Sequence, residues 1–234
     1  MLYFIALALG IVATIAFLVK RVKEGGVKAA MLKAFASTLF VATGVAAAST
    51  VIGYRISIAL FIVMGLVMGL MGDIWLDLKW VYPESNDTYT FAGFGSFMIG
   101  HFFYLAGLFI HYADFAKPLY VVIPAVIALV LGGGVVILEK PMKMVYGKFK
   151  AITGVYGFVL GFMTFLSGSL ALMHNFKEMT LNFMFVGGVL FLLSDLILSG
   201  TYFGEGKRRP VDIVTNHVSY YAAQFVIASA ILFI

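Results

Sequence analysis

An all-α polytopic membrane bundle of eight transmembrane helices is the fold this sequence predicts, and three observations predict it. Mean hydropathy is +1.04. Only 12% of the residues are charged, where a soluble domain carries about a quarter. The apolar residues fall in runs of about 20, the length that crosses a bilayer as a helix, and the basic residues gather in alternate stretches between them. Nothing of soluble character is left over, so residues 1–234 read as one integral membrane domain.

In chain order the predicted spans are 2–19, 29–49, 56–78, 91–112, 119–138, 151–173, 180–203 and 211–234. The first has no basic stretch ahead of it and ends on Lys20-Arg21-Val22-Lys23, which reads as a retained helix rather than a cleaved leader. The second carries Lys33, four residues in. A lysine there snorkels to the cytosolic surface or, as a second reading, holds a lipid phosphate. The third runs uncharged from Ile56 to Met71, with Gly65 and Gly69 spaced for close helix contact, and then carries Asp73 and Asp77. Lys79 to Thr90, with Pro83-Glu84-Ser85-Asn86-Asp87, reads as a turn or small lid. The fourth span holds His101 and Tyr104. The fifth holds Pro124 and Gly132-Gly133-Gly134, where a bend is expected. Gly157 and Gly161 in the sixth repeat the small-residue spacing. The seventh brings Asp195 and Ser199, and the eighth brings Asn216, His217, Tyr220 and Gln224.

Lysine and arginine set the orientation. Twelve of them follow spans one, three, five and seven, from Lys20 through Lys207, Arg208 and Arg209. Three, Arg55, Lys117 and Lys177, follow spans two, four and six. The positive-inside rule then places both termini on the non-cytosolic side of the cell membrane. The net charge of +5 sits in these short loops, which predicts contact with anionic lipid and not with nucleic acid. Zero cysteines exclude disulfides and thiolate chemistry.

The polar residues inside the spans share one depth. At the helical rise, Asp73 lies roughly 9 Å from the cytosolic end of its helix, His101 about 15 Å and Asp195 about 14 Å. Asn216 to Gln224 cover roughly 9–21 Å. Asp73 and Asp77, Asp195 and Ser199, and Asn216, Tyr220 and Gln224 each share a helix face. Four helices therefore predict one chamber in the cytosolic half. Ionisable groups at that depth point to function.

Two carboxylates in a low-dielectric pocket divide into acid and base. That pair suits hydrolysis of an acid-labile ether, with one group protonating and the other activating water. His101 or His217 would orient or carry a proton. Two His and two Asp are also zinc-ligand types, but no local spacing favours a metal, and no cofactor is called for. Two other readings use the same residues: a small proton-coupled transporter relaying through Asp73 and Asp195, and a non-catalytic lipid-binding protein. Neither a Gly-x-Ser-x-Gly nor a His-Glu-x-x-His motif is present.

At these positions the chain resembles the lysoplasmalogenase (YhhN-like) family of integral membrane proteins. The resemblance is carried by Gly72-Asp73-Ile74-Trp75-Leu76, Gly100-His101-Phe102-Phe103-Tyr104, Ser194-Asp195-Leu196-Ile197-Leu198 and Tyr220-Tyr221-Ala222-Ala223-Gln224, in that order, over roughly residues 56–234. It implies hydrolysis of the vinyl-ether bond of a lysoplasmalogen, giving a fatty aldehyde and glycerophosphoethanolamine or glycerophosphocholine. Asp73 and Asp195 would be the catalytic carboxylates. His101, Tyr104, Asn216, Tyr220 and Gln224 would shape the pocket. The implied partners are a lysophospholipid substrate and the surrounding membrane lipids.

Overall fold

The computed structural model describes residues 1–204 and 209–234; Lys207 and Arg208, counted in the charge asymmetry, lie outside the described residues. Eight long helices make up the described chain: α1 (Leu2–Lys23), α2 (Gly26–Ala48), α3 (Ile56–Val81), α4 (Asn86–His111), α5 (Leu119–Ile137), α6 (Lys150–Met173), α7 (Met179–Phe203) and α8 (Pro210–Ala230). Among the described residues the only bridge is an isolated antiparallel one, between Met144 and Gly204. Seven of the helices are long and apolar enough to cross a membrane; α8 is not among them.

The helices turn apolar residues outward and bury many small and polar residues among larger apolar ones, an arrangement expected when lipid is the solvent. On α2 the buried positions are Ala29, Lys33, Ala36, Ser37, Phe40, Thr43, Gly44 and Ala47, spaced by three and four. On α3 they are Ile58, Ala59, Ile62, Gly65, Leu66, Gly69, Gly72, Asp73, Leu76, Asp77 and Lys79. Leu9, Val12, Ile15 and Val19 of α1 face outward, and so do Val122, Val126, Leu129 and Val130 of α5. The two carboxylates of α3 and the lysine of α2 therefore continue buried stripes.

Consecutive helices pack against one another, except that α4 turns to α6 and α5 lies on α6. α8 closes the bundle against α7, α2, α1 and α3. That central position explains why α8 falls short of the apolar character of a span: most of it meets protein, and it has little lipid-facing surface to cover. Two backbone approaches depend on glycine. A Cβ on Gly100 would meet the Gly65 carbonyl at 3.0 Å, and one on Gly132 would meet the Gly154 carbonyl at 2.7 Å.

The predicted spans all correspond to helices, but several ends move. The expected lid at 79–90 is almost wholly helical. α3 runs on to Val81, Pro83–Ser85 form one 3-10 turn, and α4 starts at Asn86. Hydropathy marks where lipid ends, and these helices continue past it. α5 runs uninterrupted through Pro124 and its three glycines. In the segment between α5 and α6, Glu139 accepts the Tyr146 N–H at 2.8 Å and pairs with Lys150 at 2.6 Å. The Lys150 ammonium, with that N–H, holds the Glu139 carboxyl below the usual carboxylate range. This closure packs Tyr146 against Phe203 at the end of α7.

Because backbone blocks a side chain at Gly132, Gly132→Ala is expected to lower stability by about 1–3 kcal/mol. Gly133→Ala, with nothing within 4 Å of the added carbon, is expected to leave it unchanged. Thermal unfolding of the two variants in one detergent checks the pair.

Candidate functional site

The buried stripes of α2, α3 and α8 meet at the end of the bundle that carries the α1–α2 and α3–α4 connections. Asp73 and Asp77 are 2% and 4% exposed there. Lys33 Nζ sits between them, 3.0 Å from Asp73 Oδ1 and 3.4 Å from Asp77 Oδ1. Ser37 donates to Asp73 Oδ2 at 2.6 Å, and the Tyr220 hydroxyl donates to the same oxygen at 2.7 Å. Arg21, at the end of α1, donates to Asp77 Oδ2. Tyr221 closes the back of the cluster by donating to the Lys33 carbonyl at 3.1 Å. One expectation is corrected here. Lys33 does not snorkel to the surface; it and Asp77 are both buried, each with a partner of opposite charge on the neighbouring helix.

A third carboxylate stands on α7. Asp195 accepts a hydrogen bond from Tyr156 of α6. The Asn216 amide fixes α8 to α7 beside it, donating to the Ser194 carbonyl at 2.7 Å and to Ser194 Oγ at 3.0 Å. Asp73 and Asp195 border one cavity of about 520 Å³, within the range of small-molecule sites. Its polar lining residues include Arg21, Lys33, Asp77 and Tyr220, and its apolar ones include Phe97, Leu131, Val135, Leu160, Leu192 and Leu196. Ser199, Asn216 and His217 also border it. The His217 ring is held by its Nδ1, which donates to the Ile213 carbonyl at 2.8 Å.

Three expected pocket residues stand behind this wall. Tyr104 packs its ring into the notch left by Gly65, and Gln224 sits against Gly69; helical phase turns both toward seams with α3. Gln224 still reaches the site indirectly, donating to the Tyr220 hydroxyl at 2.9 Å. His101 packs edge-on against Phe191, with ring centroids 4.9 Å apart. Neither His101 nitrogen nor the Tyr104 hydroxyl has a hydrogen-bond partner. Among the described residues, no three His, Cys, Asp or Glu side chains converge as metal ligands would.

The model of the YhhN family matches residues 28–231, from the first turn of α2 to the end of α8. The chain belongs to the YhhN family. That family includes lysoplasmalogenases. No curated protein and no solved structure matches the chain. The YhhN match begins a helix and a half before the motifs noted above, so Lys33 and Ser37 fall inside it with Asp73, Asp195 and Tyr220. Arg21, on α1, falls outside.

Sequence reasoning missed four residues of this candidate site. Ser37 lies one turn after Lys33 on the same face, and that spacing was its signal. Tyr156 is six residues after Lys150, at a depth of roughly 9 Å that matches Asp73 on its own helix. Arg21 counted only toward orientation. Ser194 gave no separate signal.

Lys33 is the cation shared by two buried carboxylates, so Lys33→Met is expected to destabilise the protein by about 3–5 kcal/mol. Adding Asp73→Asn to Lys33→Met removes one orphaned charge and is expected to restore part of that loss. A double-mutant cycle on unfolding free energies in detergent checks the coupling.

Proposed function

We propose that this YhhN-family protein is a membrane-embedded ether hydrolase. It cleaves the vinyl-ether bond of a lysoplasmalogen with water, giving a fatty aldehyde and a glycerophospho-alcohol. The observation that carries the reading is that Asp73 and Asp195, 122 positions apart in the chain, border one largely apolar cavity with a charged wall. A single-chain amphiphile matches such a space, with its tail along the leucines and its head group toward Arg21 and Lys33. With eight spans and both termini outside, the charged wall faces the cytosolic leaflet, and the lipid enters from there.

The two carboxylates take different parts because their partners differ. Asp195, bonded to a phenol and, among the described residues, to no cation, delivers its proton to the enol-ether carbon. The adjoining carbon becomes an oxocarbenium ion, whose positive charge faces the Asp73 carboxylate. Water adds to that carbon and gives a proton to Asp73. The hemiacetal then collapses: Asp73 returns its proton to the departing glycerol oxygen, and the hemiacetal hydroxyl proton goes to Asp195. One water is consumed and both carboxyl groups are reset. Tyr220, Ser37 and Lys33 fix the Asp73 oxygens throughout, and Tyr156 fixes Asp195.

Purified protein incubated with a lysoplasmalogen is expected to release aldehyde, measured with a carbonyl trap. Asp73→Asn and Asp195→Asn are each expected to lower turnover by about 10²–10⁴-fold while the lysolipid still binds. Bound lysolipid with no aldehyde from the unaltered protein overturns the hydrolase reading. Proton-driven uptake into proteoliposomes would then favour the carrier.

A further inference from the structure

We propose that Arg21, Lys33 and Asp77 form a site for a zwitterionic head group, in which the two cations take a phosphodiester and the carboxylate takes the ammonium beside it. The lysolipid reading above supplies the ligand class, and the geometry supplies the residues. Arg21 borders the cavity, with its guanidinium over the Phe17 ring at 5.3 Å. Its fork is only partly used: one nitrogen donates to Asp77, and the buried Nε has no hydrogen-bond partner among the described residues. A guanidinium presents donors in a plane that matches two phosphate oxygens at once. Lys33 brings an ammonium to the same carboxylate at 3.4 Å, so both cations flank the Asp77 carboxylate, and both border the cavity.

Charge balance selects the ligand further. Arg21 and Lys33 carry two positive charges, and Asp73 and Asp77 two negative ones, so the cluster is neutral when all are ionised. A zwitterion adds no net charge. Its phosphate exchanges with one edge of the Arg21–Asp77 pair, and its ammonium replaces the cation Asp77 gives up. An anionic head group would leave a net charge in a low-dielectric site, which is strongly unfavourable. Arg21 lies outside the family match of 28–231, so this contact is a feature of this chain beyond what the match covers.

The test uses ligands that cannot be cleaved, so its outcome is independent of whether aldehyde is ever formed. Protein in nanodiscs is titrated with a 1-O-alkyl lysophosphatidylethanolamine, the matching 1-O-alkylglycerol 3-phosphate, 1-O-alkylglycerol, and inorganic phosphate. Binding is read by calorimetry and by the fluorescence of Trp80, which borders the cavity. The zwitterion is expected to bind tightest. Arg21→Gln is expected to weaken it by about ten- to a hundredfold while leaving alkylglycerol unchanged. Asp77→Asn is expected to narrow or reverse the preference for zwitterion over anion. If Arg21→Gln fails to fold, Arg21→Lys is read in the same series, with a smaller loss confined to the phosphate-bearing ligands. Equal binding of the phospholipid by the Arg21 variant and the unaltered protein overturns the proposal. So does an equal loss for alkylglycerol, and so does inorganic phosphate binding as tightly as the lysolipid, which would make the site one for a free anion.

Discussion

The lysine of α2 holds this bundle to its chemistry. Lys33 is 6% exposed and lies within 3.4 Å of two carboxylates on α3. An ionised Asp in such surroundings is unfavourable by several kcal/mol unless opposite charge and hydrogen bonds meet it. Here Lys33, Ser37 and Tyr220 meet Asp73, and Lys33 with Arg21 meets Asp77. Four helices, α1, α2, α3 and α8, must come together at one end before all of these groups are satisfied. The polar network therefore specifies register: sliding α2 by one turn along α3 would move Lys33 from its partners and leave two buried carboxylates without a cation.

Packing in lipid explains why the network can sit so deep. Association of helices in a membrane draws little from the hydrophobic effect and relies on close contact and interhelical hydrogen bonds. Small residues line the seams, as where Gly65 meets Gly100 and Gly132 meets Gly154. With backbones that close, short side chains such as Ser37 reach across to a neighbour. α8 shows the consequence most fully. Surrounded by α1, α2, α3 and α7, it devotes Asn216, Tyr220, Tyr221 and Gln224 to other helices, and its lower hydropathy follows.

The helices were legible because twenty-residue apolar runs leave few alternatives, and the clustering of polar groups was legible because depth can be counted along a helix. The ends of α3 and α4 were not, since a helix keeps its hydrogen bonds past the lipid boundary and hydropathy does not register that. Lys33 was misread for a related reason. Taken alone, a lysine near a helix end is expected to reach water. Taken with Ala29, Ala36 and Ser37, it belongs to a stripe of small residues, and such a stripe faces protein. Tyr156 and Ser37 carry no charge, so a search led by ionisable groups passed over them. His101 and Tyr104 sit at the predicted depth but point to a seam, because depth constrains one coordinate and phase between unconnected helices is set only by packing.

The division of the cavity bears on what passes through it. Its lining combines charged groups with leucine, valine and phenylalanine. A polar solute carried across the membrane needs polar groups along its path, because no water lies in the hydrocarbon to replace its hydration. Hydrogen-bonded residues at the opposite end of the bundle, such as Ser57 with His111 at 2.9 Å and Ser49 with the Ala46 carbonyl at 2.8 Å, do not border the cavity. An amphiphile needs no such path. On the reading proposed above, its tail lies along apolar lining residues while its polar end stays with the ions. Asp73 and Asp195 border the same cavity as both kinds of residue, which is why that reading favours a reaction at the link between chain and head group over passage through the cavity.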